Sequence, residues 1–161
     1  MLITDRSTPL ITSTEIKCFK VMVQWKTWFY TCPPAFQHFL NNKIGLIEYH
    51  LNEFYRTEST DPNKDYRIDW VIWAWFFHTF CDLKSAQVFA KKINDKLINP
   101  HISHHPELYI IPQWAKIVIL KAIIPENSLY YEWAYQWEKN KICEKTYASN
   151  QIVYNSIVDT K

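Results

Sequence analysis

Glycine is almost missing from this chain. Its 161 residues contain one, Gly45. Tight turns that need positive φ are usually built on glycine, so the shortage argues against a sandwich or barrel of many hairpins. It also excludes glycine-rich phosphate loops and the G-x-S-x-G nucleophile elbow. Arginine is scarce as well: Arg6, Arg56 and Arg67 are the only three among 18 basic residues. Arginine supplies the bidentate fork that reads guanine or clamps phosphate. With a net charge of only +2, the balance argues against sequence-specific DNA readout.

Other signals are lacking too. Cys18, Cys32, Cys81 and Cys143 form no C-x-x-C pair. There is no H-E-x-x-H, no paired Glu-x-x-His and no acidic cluster. The apolar run from Trp70 to Cys81 is too short for a bilayer, which needs ~20 apolar residues. The longer stretch from Leu108 to Ile124 carries Pro112, Gln113, Lys116 and Lys121. The opening residues have no charged start followed by an apolar run, so no export signal is expected. Together these features predict reduced thiols, no membrane association and a cytoplasmic protein. No internal repeat or domain boundary is visible, and a single domain over 1–161 is the expectation.

What the chain does have is rings: eight Trp, ten Tyr and nine Phe. They offer a large apolar area for burial. Read at helical spacing, they predict an all-α domain of about six to seven helices. Thr12-Ser13-Thr14-Glu15 has the form of a capping box, with Thr12 as N-cap and Ile11 and Ile16 as the staple, opening a helix to about Tyr30. Pro33-Pro34 opens a second helix, with Phe36, Leu40, Ile44, Ile47, Leu51 and Phe54 as its stripe and Gly45 inside it. Residues 57–64 are a polar linker. A third helix, from about Tyr66 to Cys81, has rings all round over Trp70–Cys81 and is expected to be central. Ser85 starts a lysine-rich helix to about Ile98, after a cap or kink at 82–85. Val88, Phe89, Ile93 and Leu97 form its expected inner stripe. Residues 99–112 are irregular. Further helices are expected over 112–124, 127–143 and 146–158.

Candidate chemistry is thin. His101, His104 and His105, with Glu107, are imidazole and carboxylate groups that could bind a borderline metal, and a metal-dependent enzyme using them is the third-ranked function. His78 and Cys81 would share a helical face. Cys32, at a helix start, could be nucleophilic if His38 or His50 supplied a base. None of these makes a recognisable site, so no catalytic residue, metal ligand or cofactor is assigned.

The expected interaction surface lies on the 127–143 helix. Tyr130, Tyr131, Trp133, Tyr135 and Trp137, followed by Lys139 and Lys141, combine the aromatic residues of binding hot spots with cations. The leading functional expectation is therefore a non-enzymatic protein-binding module, such as an inhibitor, immunity or anti-defence factor, adaptor or subunit. The second is a nucleic-acid-binding protein that uses lysine-rich helices and stacking rings. The wealth of Ile, Asn, Lys and Tyr codons suggests an AT-rich genome.

Overall fold

The computed structural model describes residues 2–3, 6–31, 47–68, 71–72, 76–104, 106, 111–112, 114–138 and 141–158; for 2–3, 71, 133–138 and 141–145 it describes the backbone. The described residues are mostly β. In chain order the strands are β1 (Leu2–Ile3), β2 (Leu10–Ile11), β3 (Ile16–Trp25), β4 (Trp28–Thr31), β5 (Phe54–Arg56), β6 (Arg67–Ile68), β7 (Val71–Ile72) and β8 (Phe77–Phe80). After the helix α1 (Leu83–Ile98) and a 3-10 turn at Pro100–Ile102 come β9 (Lys116–Ile124), β10 (Leu129–Glu138), β11 (Lys141–Ser149) and β12 (Gln151–Ile157).

The strands hydrogen-bond in the order β5-β12-β9-β3-β8-β11-β10-β1-β7-β6, with β2 on β10 and β4 on β3. The short β1, β7 and β6 join the rest through the pair Leu2↔Tyr135. The backbone of the architecture is β3 against β9, in unbroken antiparallel register from Ile16↔Ile124 to Gln24↔Lys116. Successive side chains along them point to opposite faces, as in any strand. Cys18 and Met22 of β3 share one face with Val118, Leu120, Ala122 and Ile124 of β9, and this face builds the largest core with Ile152 and Tyr154 of β12. Lys20 on the same strand donates from its ammonium to the His78 carbonyl at 2.7 Å. Tyr49 completes that core, with ring centroids 4.8 Å from Tyr55 and 5.5 Å from Tyr154, both edge-on.

Helix α1 covers the other face. The Asp82 carboxylate accepts from the Ser85 N–H at 2.7 Å and caps its start. Ala86 and Ala90 are buried against Val21, Ile119 and Phe80, and Ile93 is buried one turn further on. Small alanines let the helix lie close to the sheet. Val88, expected inside, is 45% exposed.

The all-α expectation is wrong, and the causes are physical. Where helices were expected over 12–30, 112–124, 127–143 and 146–158, the chain forms β3, β4, β9, β10, β11 and β12. The supposed central helix Trp70–Cys81 contributes β7 and β8 in its described part. Of the expected second helix, 32–46, Gly45 included, lies outside the described residues. Tyr49 exchanges backbone hydrogen bonds with Phe29, and Phe54 opens β5. The 85–98 helix is present as α1. Central strands buried on both faces read as continuous apolar runs, which spacing alone does not separate from helix.

Residues other than glycine take the left-handed turns, so a chain poor in glycine still builds its hairpins. Lys26 (φ 58°), Asn52 (φ 62°), Trp114 (φ 74°) and Asn127 (φ 63°) all do so. Thr12 does cap something, but not a helix. Its hydroxyl accepts from the Ser128 N–H at 2.8 Å and donates to the Pro125 carbonyl at 2.7 Å, clamping the turn between β9 and β10. Asn150, buried between β11 and β12, makes the other corner. Its Oδ1 accepts from Leu129 N–H at 2.8 Å and its Nδ2 donates to the Ser59 carbonyl at 2.9 Å.

Candidate functional site

Of the residues expected to form a binding face, Tyr130 and Tyr131 have described side chains. Tyr131 is fully buried; its hydroxyl donates to the Ser7 carbonyl at 3.0 Å and accepts from the Tyr66 N–H at 3.3 Å. Burial raises its phenol above the ordinary value. Tyr130 is half-buried, with its ring 6.2 Å from that of Tyr147. Trp133, Tyr135 and Trp137 belong to β10 and Lys141 to β11, each described by its backbone, and Lys139 lies outside the described residues.

Among the described residues the chemical candidates do not converge. His101 and His104 are exposed, and His105 and Glu107 lie outside the described residues. Among the described residues no group of three or more His, Cys, Asp or Glu is placed to hold a metal ion. Cys81 donates from Sγ to the Asp82 carboxylate at 3.3 Å, and His78 sits on β8. Cys32 and His38 lie outside the described residues. His50 places its ring 6.5 Å from that of Trp28, edge-on.

A different surface does come together, at the end of the β3–β4 hairpin. Trp25 and Trp28 are the closing cross-strand pair, joined by Lys26 and Thr27. Left-handed Lys26 reverses the chain and brings its own side chain back over both rings. Its ammonium lies 4.9 Å from the Trp25 ring centroid and 5.9 Å from that of Trp28. Such contacts are cation–π attractions, worth about 0.5–1 kcal/mol at exposed sites. Trp25 also leans on Tyr30, centroids 6.4 Å apart. The Tyr30 hydroxyl donates to Glu48 Oε1 at 3.4 Å, and burial with that carboxylate pushes its phenol up to about 12.

A second loop reaches the same end. Ile111 and Ala115 pack, with Trp25 and Trp28, against buried Val23 and Tyr30. Between them the Ala115 N–H donates to the Pro112 carbonyl at 3.1 Å, closing a turn that carries Trp114. Trp114 is 87% exposed and left-handed. Exposed Lys116 follows, paired across the ladder with Gln24. The tip thus gathers Trp25, Trp28 and Trp114 with Lys26 and Lys116. Sequence reasoning missed it because Trp25 and Trp28, three apart, also fit one face of a helix. The usable signal was composition: β-branched Val21 and Val23 beside Trp25, residue types that favour a strand.

Among the described residues no helix is long and apolar enough to cross a membrane. Comparison of the chain with protein-family models, with curated proteins and with solved structures gives no match.

Proposed function

We propose that this protein is a non-catalytic protein-binding module that docks through the aromatic, cationic tip of the β3–β4 hairpin and the adjoining Trp114 turn. One observation carries the reading: Trp114 is held in a conformation that favours glycine while the residue stands 87% exposed. A left-handed backbone costs a non-glycine residue about 1–2 kcal/mol. The exposed indole recovers none of that within the fold. Strain at a displayed aromatic is a pointer to function, and tryptophan is the residue most enriched in binding hot spots. Lys26 and Lys116 favour a partner whose surface is acidic around an apolar recess.

Site-specific photo-crosslinking tests the proposal. A photoreactive residue at position 114 or 28 should capture one dominant protein from host extract. Lys26→Glu should abolish that capture without altering the circular-dichroism spectrum. Equal capture by a probe at Gln87, on the exposed side of α1, would reject the reading.

A second reading has its own support. Indole rings beside Lys26 and Lys116 suit stacking on unpaired bases. Titration with single-stranded oligonucleotide separates the two: tryptophan quenching that weakens steeply with salt favours nucleic acid.

A further inference from the structure

The β3–β9 ladder has unlike ends. The cationic tip stands beyond Gln24↔Lys116, and the far end closes at Ile16↔Ile124. Eight residue steps separate those pairs, roughly 27 Å at ~3.4 Å per step. At the far end, across β5, β12 and β9, lies an open groove of about 520 Å³, within the ~300–1,000 Å³ range of binding clefts. Its apolar floor is Phe54, Ile123 and Val153, with Glu15 and Glu126 at its rim. Phe54 is 52% exposed, and both glutamates are exposed. No lysine or arginine lines the groove among the described residues; Lys17, paired across from Ile123, is not part of the lining.

The groove is also rigidly framed. Glu126 sits on the turn that Thr12 clamps, where the Asn127 N–H donates to the Thr12 carbonyl at 3.0 Å. The ladder of β12 against β9 shifts register between Tyr154 and Ser156, and the extra residue, Asn155, lines the groove. Bulges of this kind re-aim a side chain. An apolar lining with two carboxylates calls for an apolar ligand that carries positive charge. The chain presents that combination at its own opposite end.

We propose that the protein self-associates head to tail, the Trp25–Lys26–Thr27–Trp28 tip of one copy entering the Glu15/Glu126 groove of the next. The inference rests on the reading of the tip as a protein-docking element and names its partner as a second copy. The contact is heterologous, so it leaves a free tip and a free groove on every pair and builds rings or open chains. A tip in a groove buries little area, so association is weak and concentration-dependent.

Sedimentation velocity of the full chain tests this. Wild-type protein should gain mass with concentration beyond a dimer. Lys26→Glu and Glu126→Lys, both at exposed positions, should each weaken association about tenfold or more. Mixed in equal amounts, the two variants should regain association, because the intact tip of one meets the intact groove of the other. A Glu126→Lys protein that assembles like wild type, or a mixture that stays monomeric, overturns the proposal. Wild-type protein that is monomeric throughout also overturns it; crosslinking from position 114 to a different protein would then leave the tip reading intact. Loss of both signals would remove both readings. A basic partner captured in the groove of a monomeric wild type, and lost in Glu126→Lys, would make that partner the occupant instead.

Discussion

Thr12 and Ser128 lie 116 residues apart and hold each other by two hydrogen bonds. The Thr12 N–H donates to the Ser128 carbonyl at 2.9 Å, and the Ser128 N–H donates to the Thr12 hydroxyl at 2.8 Å. Both residues are buried. Thr12→Val keeps the shape and deletes the hydroxyl, leaving the Ser128 N–H without that acceptor. A loss of about 1–3 kcal/mol is expected, read as a lower urea midpoint with an unchanged slope. Ser13→Ala, at the exposed neighbour, should stay within about 0.5 kcal/mol.

The left-handed turns give a second test. Trp114→Gly relieves a strain of about 1–2 kcal/mol and adds about 0.5–1 kcal/mol of unfolded-chain entropy. The net expectation is a small gain in stability. Trp114→Ala keeps the strain, so the glycine variant should melt at a higher temperature than the alanine variant. Equal melting temperatures would mean that the strain at this position is no larger than the glycine entropy cost of about 0.5–1 kcal/mol.

These turns also explain how much of the fold the sequence displayed. Helix α1 was legible because only one side of it is buried: Ala86, Ala90 and Ile93 recur at helical spacing between exposed residues such as Lys84 and Lys91. Strands β3 and β9 were not, because Met22 faces one core and Val21 another, which erases the polar-apolar alternation. Thr12 was recognised as a capping hydroxyl, but its N–H partner lies far along the chain, where local spacing gives no hint. The tip was illegible for the same reason as the turns. A left-handed lysine between two tryptophans is tolerated through tertiary contacts, not through local propensity. The buried side of α1 was itself misjudged, since large Val88 drew attention from small Ala90.

That last point is testable. Ala90 is 8% exposed against the sheet, whereas Val88 is 45% exposed. Ala90→Leu should cost about 1–3 kcal/mol by overpacking. Val88→Leu should change stability by no more than about 0.5 kcal/mol. Denaturant melts of the two variants settle which side of the helix meets β3 and β9. A reversed ranking would place the helix in another rotation about its axis.

Alkaline titration probes the ring-lined core. Burial pushes the Cys18 thiol from 9.0 up to about 12 and the Tyr154 phenol well above 10.0, and Tyr49 rises with it. Raised folded values mean that the folded chain keeps these protons after the unfolded chain has released them. Their contribution is therefore complete below pH 9, where neither state ionises them. It declines as the pH climbs, first through the unfolded thiol value and then through 10, toward the raised folded values. Melting temperature should be flat with respect to these groups up to about pH 9 and fall steeply between pH 10 and 12. In the same window tyrosinate absorbance and reaction of Cys18 with a thiol reagent should appear together with the loss of the folded circular-dichroism signal. A Cys18 thiol that reacts fully at pH 9 while that signal is intact would show that the β3–β9–β12 core admits solvent.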